Sequence, residues 1–274
     1  QSAARLVDFS AELGGKNAMV VTDDIDVERA AKVATIACFA NGGQLCIAIE
    51  RIYVLAEVAE QFTKAFAAAT RALRLGSEVG YGPEMGPLAS ADQLDKMREH
   101  VTDAVSKGAT VVAGGDARPE LAPWFHEPTI LTDVPASAAV YREETFGPLV
   151  SIYPVANVDE AIAAANDTEY GLNASVLCRD ASRGRAIARR LRAGTVNVND
   201  GYAAAWSSLD APMGGMGASG VGRRHGSVGL LKYTESQNIS TRSPLLDLVQ
   251  RPSNPKEYAE RLSAALRLQK YLPF

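Results

Sequence analysis

Short apolar runs alternate with longer segments of helical periodicity along most of this chain, and that alternation restricts its fold more than any other feature. Strand-like runs occur at Ala18–Val21, Arg51–Leu55, Ala109–Ala113, Thr129–Leu131, Val150–Pro154, Ser175–Cys178 and Gly194–Asn199. Between them lie helical patterns at about Val27–Phe39, Val58–Leu73, Ala91–Ser106, Val158–Ala165 and Arg183–Leu191. Strands that alternate with helices predict a mostly parallel sheet covered by helices on both faces, an α/β fold. A length of 274 residues suits one large α/β domain or two small ones.

Local signals refine this outline. Asp24 and Asp26 are candidate caps for the helix that opens at Val27, and Gly76 and Gly108 are expected to close two others. A short helical pattern at Ser2–Phe9 runs into the Leu-Gly-Gly turn after Glu12. Residues 213–222 are glycine-rich, but they follow no clear strand inside a βαβ unit, so a dinucleotide-binding loop fails its context test there. Tyr233–Ser240 alternates like an exposed strand. Beyond Thr241, a Pro/Ser/Asn linker leads to an amphipathic helix, Tyr258–Tyr271, and residues 251–274 hold five basic and two acidic residues.

Charge and cysteine usage exclude several classes. A net charge of −4 gives no argument for nucleic acid or a membrane surface, and no apolar run approaches the ~20 residues that span a bilayer. Cys38, Cys46 and Cys178 are an odd number in a chain too long to need staples, which favours a reducing cytoplasm. The three histidines share no ligand-like spacing with them, so no metal site is expected. The chain opens Gln1-Ser2-Ala3-Ala4-Arg5, without an initiator Met or a signal-peptide pattern, and reads as an excised or truncated start.

One cysteine stands apart. In Phe39-Ala40-Asn41-Gly42-Gly43-Gln44-Leu45-Cys46 a thiol follows a helical run on a Gly-Gly loop, where backbone can approach a substrate and N–H groups can stabilise a thiolate. Local chemistry leaves two readings open, a nucleophile or a small packed hydrophobe. Cys38, on an apolar helix, and Cys178, at a strand end, read as structural.

Two further segments accompany Cys46. Ala11-Glu12-Leu13-Gly14-Gly15-Lys16-Asn17 lies 34 residues upstream and Glu143-Glu144-Thr145-Phe146-Gly147-Pro148 about a hundred downstream. This ordered trio resembles the aldehyde dehydrogenase superfamily, in its NAD(P)-dependent branch, from the first residue to about Ser240. The resemblance implies that Cys46 attacks an aldehyde carbonyl, that hydride passes to NAD or NADP, and that Glu12 activates the water that cleaves the resulting thioester. Glu12 also argues against the coenzyme-A-acylating branch. Glu144 would hold the nicotinamide-side ribose, since a carboxylate accepts two hydrogen bonds from a diol, and Phe146 would flank the nicotinamide ring. Asn199 resembles an asparagine near the family's active centre, although a turn-forming role is equally open. Lys16 belongs to the motif without a chemical step.

Met213-Gly214-Gly215-Met216 and Gly222-Arg223-Arg224-His225-Gly226 depart from the commoner family pattern. They resemble actinobacterial succinate-semialdehyde dehydrogenases, for which Ser219 and Arg223 are candidates to hold an anionic substrate tail. The implied organisation is the end of a cofactor domain (1–15), a catalytic domain (16–212), a return segment with an oligomerisation strand (213–240), and a linker and helix (241–274). Most of the Rossmann-like cofactor domain would be absent. Three readings follow: a fragment of an aldehyde-oxidising homodimer or homotetramer, a shortened thiol esterase, or a non-catalytic subunit.

Overall fold

The computed structural model describes residue 4, residues 7–241 and residues 254–271. The elements in chain order are β1 (Ala11–Glu12), β2 (Asn17–Val21), α1 (Val27–Phe39), β3 (Ile49–Leu55), α2 (Ala56–Arg71) and α3 (Ala91–Ser106). They continue with β4 (Thr110–Ala113), β5 (Thr129–Thr132), α4 (Ala139–Arg142), β6 (Leu149–Val155), α5 (Val158–Asn166) and β7 (Asn173–Leu177). The last are α6 (Ala181–Ala188), β8 (Thr195–Val198), α7 (Ala203–Ser207), β9 (Gly220–Val221), α8 (Gly226–Leu231) and α9 (Pro255–Gln269).

Seven strands form one sheet in the order β4-β5-β6-β3-β2-β7-β8. All neighbours run parallel except β4, which pairs antiparallel with β5 at one edge. β2 and β3 are buried along their whole length, as strands covered on both faces must be. On one face Ala30, Ala34 and Phe39 of α1 pack with Phe62 and Phe66 of α2 against Met19, Ile52 and Val54. On the other, Ala161 and Ile162 of α5 and Ile187 of α6 meet Val20, Tyr53 and Val176. Met97 and Val101 of α3 form a third cluster with Leu131 and Leu149.

The sheet and its principal helices agree with the alternation in the sequence. Asp26, not Asp24, caps α1 through the Arg29 N–H. Asp24 instead accepts from the N–H groups of Arg179 and Asp180 beyond β7. Gly76 does not close α2, which ends at Ala72 with backbone bonds to the preceding carbonyls. Of the Ser2–Phe9 pattern, residues 2, 3, 5 and 6 lie outside the described residues.

The glycine-rich stretch returns the chain to its start. β9 pairs antiparallel with β1, setting Glu12 opposite Gly220. Tyr233–Ser240 forms no strand within this chain, because a strand needs a partner for its N–H and C=O groups. Residues 1–234 and 235–274 are two separate compact units. In the second, Asn254 caps α9 through the Lys256 and Glu257 N–H groups, with Pro255 in the first turn.

Candidate functional site

The three motif segments meet at the N-terminal edge of the parallel strands. Glu12 to Lys16 leads into β2, Cys46 lies just before β3, and Glu144 to Pro148 lies just before β6. Parallel pairing in register therefore sets the ends of the three loops side by side. Glycine permits the last step. Gly43 has φ +69°, and a Cβ there would sit 2.2 Å from the Gly147 carbonyl oxygen, so the two loops touch backbone to backbone.

Buried amides hold the thiol loop. Asn17 Nδ2 donates to the carbonyls of Cys46 (2.9 Å) and Ala48 (2.8 Å), and its Oδ1 accepts from the Asn173 N–H. Asn173 Nδ2 donates to the Ile47 carbonyl (2.8 Å), while its Oδ1 accepts from Asn197 Nδ2 (2.9 Å). Gln44 ties the same loop to the Ala89 N–H and the Pro87 carbonyl. Asn17 and Asn173 open β2 and β7, and Asn197 lies within β8. Polar residues repeated in strands destined for burial were the signal that sequence reading passed over.

A second buried group holds the Glu144 loop. Glu50 accepts from the N–H groups of Thr145 (2.9 Å) and Phe146 (2.9 Å), and pairs with Lys16 Nζ at 2.5 Å. This explains the motif lysine: burial pushes its pKa down, the Glu50 carboxylate opposes that, and the pair anchors the turn. Phe146 adopts φ 57° there, with its carbonyl accepting from Gln93. Glu50 was legible only as an odd charge inside an apolar strand.

Cys46 is half-buried, whereas Cys38 and Cys178 are 2% and 1% exposed. The thiol differs from the stabilised thiolate expected of a loop rich in N–H groups. Burial pushes its pKa up, and the carboxylates of Glu12 and Glu144 push it further. Arg224 and the cysteine's own backbone N–H act in the opposite direction. Glu12 is 15% exposed and pairs with Arg224 Nε at 2.6 Å.

Glu144 is half-buried, and burial raises its pKa. Its Oε1 accepts from the Gly15 N–H at 2.8 Å, and both oxygens lie against Gly14, where a Cβ would clash. Oε2 has no hydrogen-bond partner among the described residues. A carboxylate with one free acceptor oxygen, beside a partly exposed Phe146, fits a ribose diol and a flat ring.

Of the other expected site residues, Asn199 lies away from this edge, whereas Ser219 lies on the turn that pairs with the Glu12 strand, its carbonyl accepting from the Leu13 N–H. Asn199 lies beyond the C-terminal end of β8, at the opposite edge of the sheet from Cys46. With φ 61° and its Oδ1 accepting from the Cys178 N–H (2.9 Å), it forms a turn. Ser219 is fully buried and its hydroxyl accepts from the Gly171 N–H, which leaves no exposed surface for a substrate. Arg223 gives Nη1 to the carbonyls of Gly215 and Gly222, stitching the glycine-rich turn. Its neighbour Arg224 is the arginine that pairs with Glu12, and its charge favours the Cys46 thiolate.

A model of the aldehyde dehydrogenase family matches residues 1–239. A Mycobacterium ulcerans protein named "Putative succinate-semialdehyde dehydrogenase [NADP(+)] 2" is 60% identical over 241 residues, covering 88% of this chain and 46% of that protein. The glutarate-semialdehyde dehydrogenase of Pseudomonas putida is 42% identical over 226 residues, covering 82% and 46%. Staphylococcus aureus betaine aldehyde dehydrogenase in complex with NAD+ superposes with a TM-score of 0.80 at 34% identity, over 85% of this chain and 46% of that one. An E. coli NADP dependent enzyme gives 0.80 at 39%, over 85% and 48%. The chain thus spans about half the length of the curated relatives it matches. With nearly its whole length before the tail matched, and its Cys46, Glu12 and Glu144 segments drawn to one sheet edge, this chain belongs to the aldehyde dehydrogenase family.

Proposed function

We propose that the chain carries the thiol chemistry by which an aldehyde is oxidised to a carboxylic acid with NAD or NADP, and that the aldehyde is succinate semialdehyde. The observation that carries the reading is the convergence of Glu12, Cys46 and Glu144, far apart in sequence, with both carboxylates acting on one half-buried thiol. The substrate rests on the names of relatives such as the mycobacterial protein at 60% identity.

Cys46 gives up its thiol proton to solvent as Sγ bonds to the aldehyde carbon, and the Cys46 N–H donates to the oxygen as it gains charge. When bound, the oxidised nicotinamide supplies the hydride acceptor that turns this adduct into a thioester. Glu144 would hold the adjoining ribose and Phe146 would flank the ring. Glu12 then takes a proton from water as the water oxygen adds to the acyl carbon. The C–S bond breaks, releasing the carboxylic acid and the Cys46 thiolate, with the proton left on Glu12.

The thiol half of this scheme can be tested with an activated ester. p-Nitrophenyl acetate is expected to acylate Cys46 in a burst of one nitrophenolate per chain, absent in Cys46→Ala. Glu12→Gln should keep the burst and slow later turnover on the order of 100-fold. A burst that survives in Cys46→Ala would sink the assignment. Aldehyde-dependent reduction of NAD and NADP, with succinate semialdehyde against neutral aldehydes, tests the oxidation itself.

Two further readings belong here. The exposed 233–240 segment is an arm that pairs with a second copy in a homodimer or homotetramer, and the free cysteines suit a cytoplasmic location.

A further inference from the structure

We infer that Arg224 is a carboxylate clamp shared between Glu12 and the substrate, so that an aldehyde carrying a carboxylate at its far end frees the base that its own turnover requires. This rests on the assignment of Cys46 and Glu12 made above.

Three charged groups act strongly on the Cys46 thiol: Glu12, Glu144 and Arg224. Arg224 is the cation among them, and its backbone is fixed close by. Its N–H donates to the Met213 carbonyl and its carbonyl accepts from the Met213 N–H. Met213 is buried in a small cluster with Ile47 and Leu172, against which Leu45 and Cys46 pack. The arginine is thus tethered to the thiol's own apolar seat.

Its side chain is otherwise little used. Arg224 is 57% exposed and gives only Nε to Glu12, leaving both Nη groups without partners among the described residues. A guanidinium presents a planar fork that matches a carboxylate in two parallel bonds. Glu12 is tucked in at 15% exposure, so the arginine is the member of the pair that can turn outward. Glu144 does not compete for it, being held at the Gly15 N–H. Arg223 cannot substitute, because its Nη1 is committed to two carbonyls.

The Arg224 end of the pair is more than half exposed, so water and a second carboxylate can compete for the guanidinium. With the aldehyde carbon at Cys46 Sγ and the distal carboxylate on Arg224, Glu12 is released from its pair, and an oxygen becomes available to water. With a neutral aldehyde Glu12 is free only when its pair with Arg224 opens unaided, so the base acts less often. Specificity for an oxo acid and activation of the base thereby become one event.

The test needs no turnover. Cys46 in the 274-residue chain is alkylated with iodoacetamide, with and without succinate or the neutral succinamide, and followed by peptide mass. Succinate is expected to slow alkylation saturably, by at least tenfold, and succinamide to leave it unchanged. Protection should weaken at least tenfold in Arg224→Gln and survive in part in Arg224→Lys. Each protection factor compares one variant with itself, so a change in thiol acidity cancels. Equal protection in Arg224→Gln, or none in the unsubstituted chain, overturns the inference. Failure of the oxidation reading would show separately, as a missing Cys46 burst.

Discussion

Cys46 lies under opposing charges, and its reactivity should show that. With its pKa raised by burial and by two carboxylates, the thiol keeps its proton at neutral pH. Alkylation is therefore expected to climb with pH past the ordinary thiol value of about 8.5, while Cys38 and Cys178, buried and also raised, stay slow. Glu12→Gln removes one of the two carboxylates and leaves Arg224 unpaired, and both changes lower the Cys46 pKa. The variant should then alkylate several-fold faster at pH 8 while losing deacylation. Slower alkylation in Glu12→Gln would contradict this account of the site's charges. Cys46 and Glu12 were legible as residues because their motifs are local in sequence. Arg224 was not, because its pairing with Glu12 depends on an antiparallel contact between β1 and β9, which lie about 210 positions apart.

At the scale of elements, the loops at the strand edge are set by contacts that no local pattern announces. Gly43→Ala would place a Cβ 2.2 Å from the Gly147 carbonyl at a φ that favours glycine. It is expected to part the Cys46 and Glu144 loops and cost about 2–3 kcal/mol, read as a lower unfolding midpoint and slower Cys46 acylation. Glu50→Ala strands a buried Lys16 ammonium and two N–H groups of the Thr145 turn. A loss of about 3–5 kcal/mol is expected on denaturant unfolding, and a near-neutral result would remove this pair from the list of supports. β2 to β8 were readable within a few residues, since period and length set them apart from helices. β1 and β9, two residues each, carry no period at all, and Tyr233–Ser240 has the alternation of a strand but pairs with no strand among the described residues.

The whole molecule divides into units 1–234 and 235–274, and the division suggests an experiment. A chain ending at Thr234 is expected to keep the unfolding midpoint of the first unit, since that unit contains the seven-stranded sheet and its clusters. If 233–240 is an arm for a second copy, sedimentation should show the longer chain as an oligomer and the shorter as a monomer. Two species of equal order would dismiss the arm. The sequence by itself determined the α/β class and the strand and helix succession, and it singled out Cys46, Glu12 and Glu144 as the candidates on which the proposed chemistry rests. These follow from short-range periodicity and from contiguous motifs. Only the tertiary structure showed that Asn199 Oδ1 and the Ser219 hydroxyl accept from backbone N–H groups, that Arg224 rather than Arg223 pairs with Glu12, and that three asparagines and a buried Lys16–Glu50 pair hold the loops. Each of those depends on which groups meet across the sheet, where desolvation makes an unpaired polar group costly and so fixes the partners it must find.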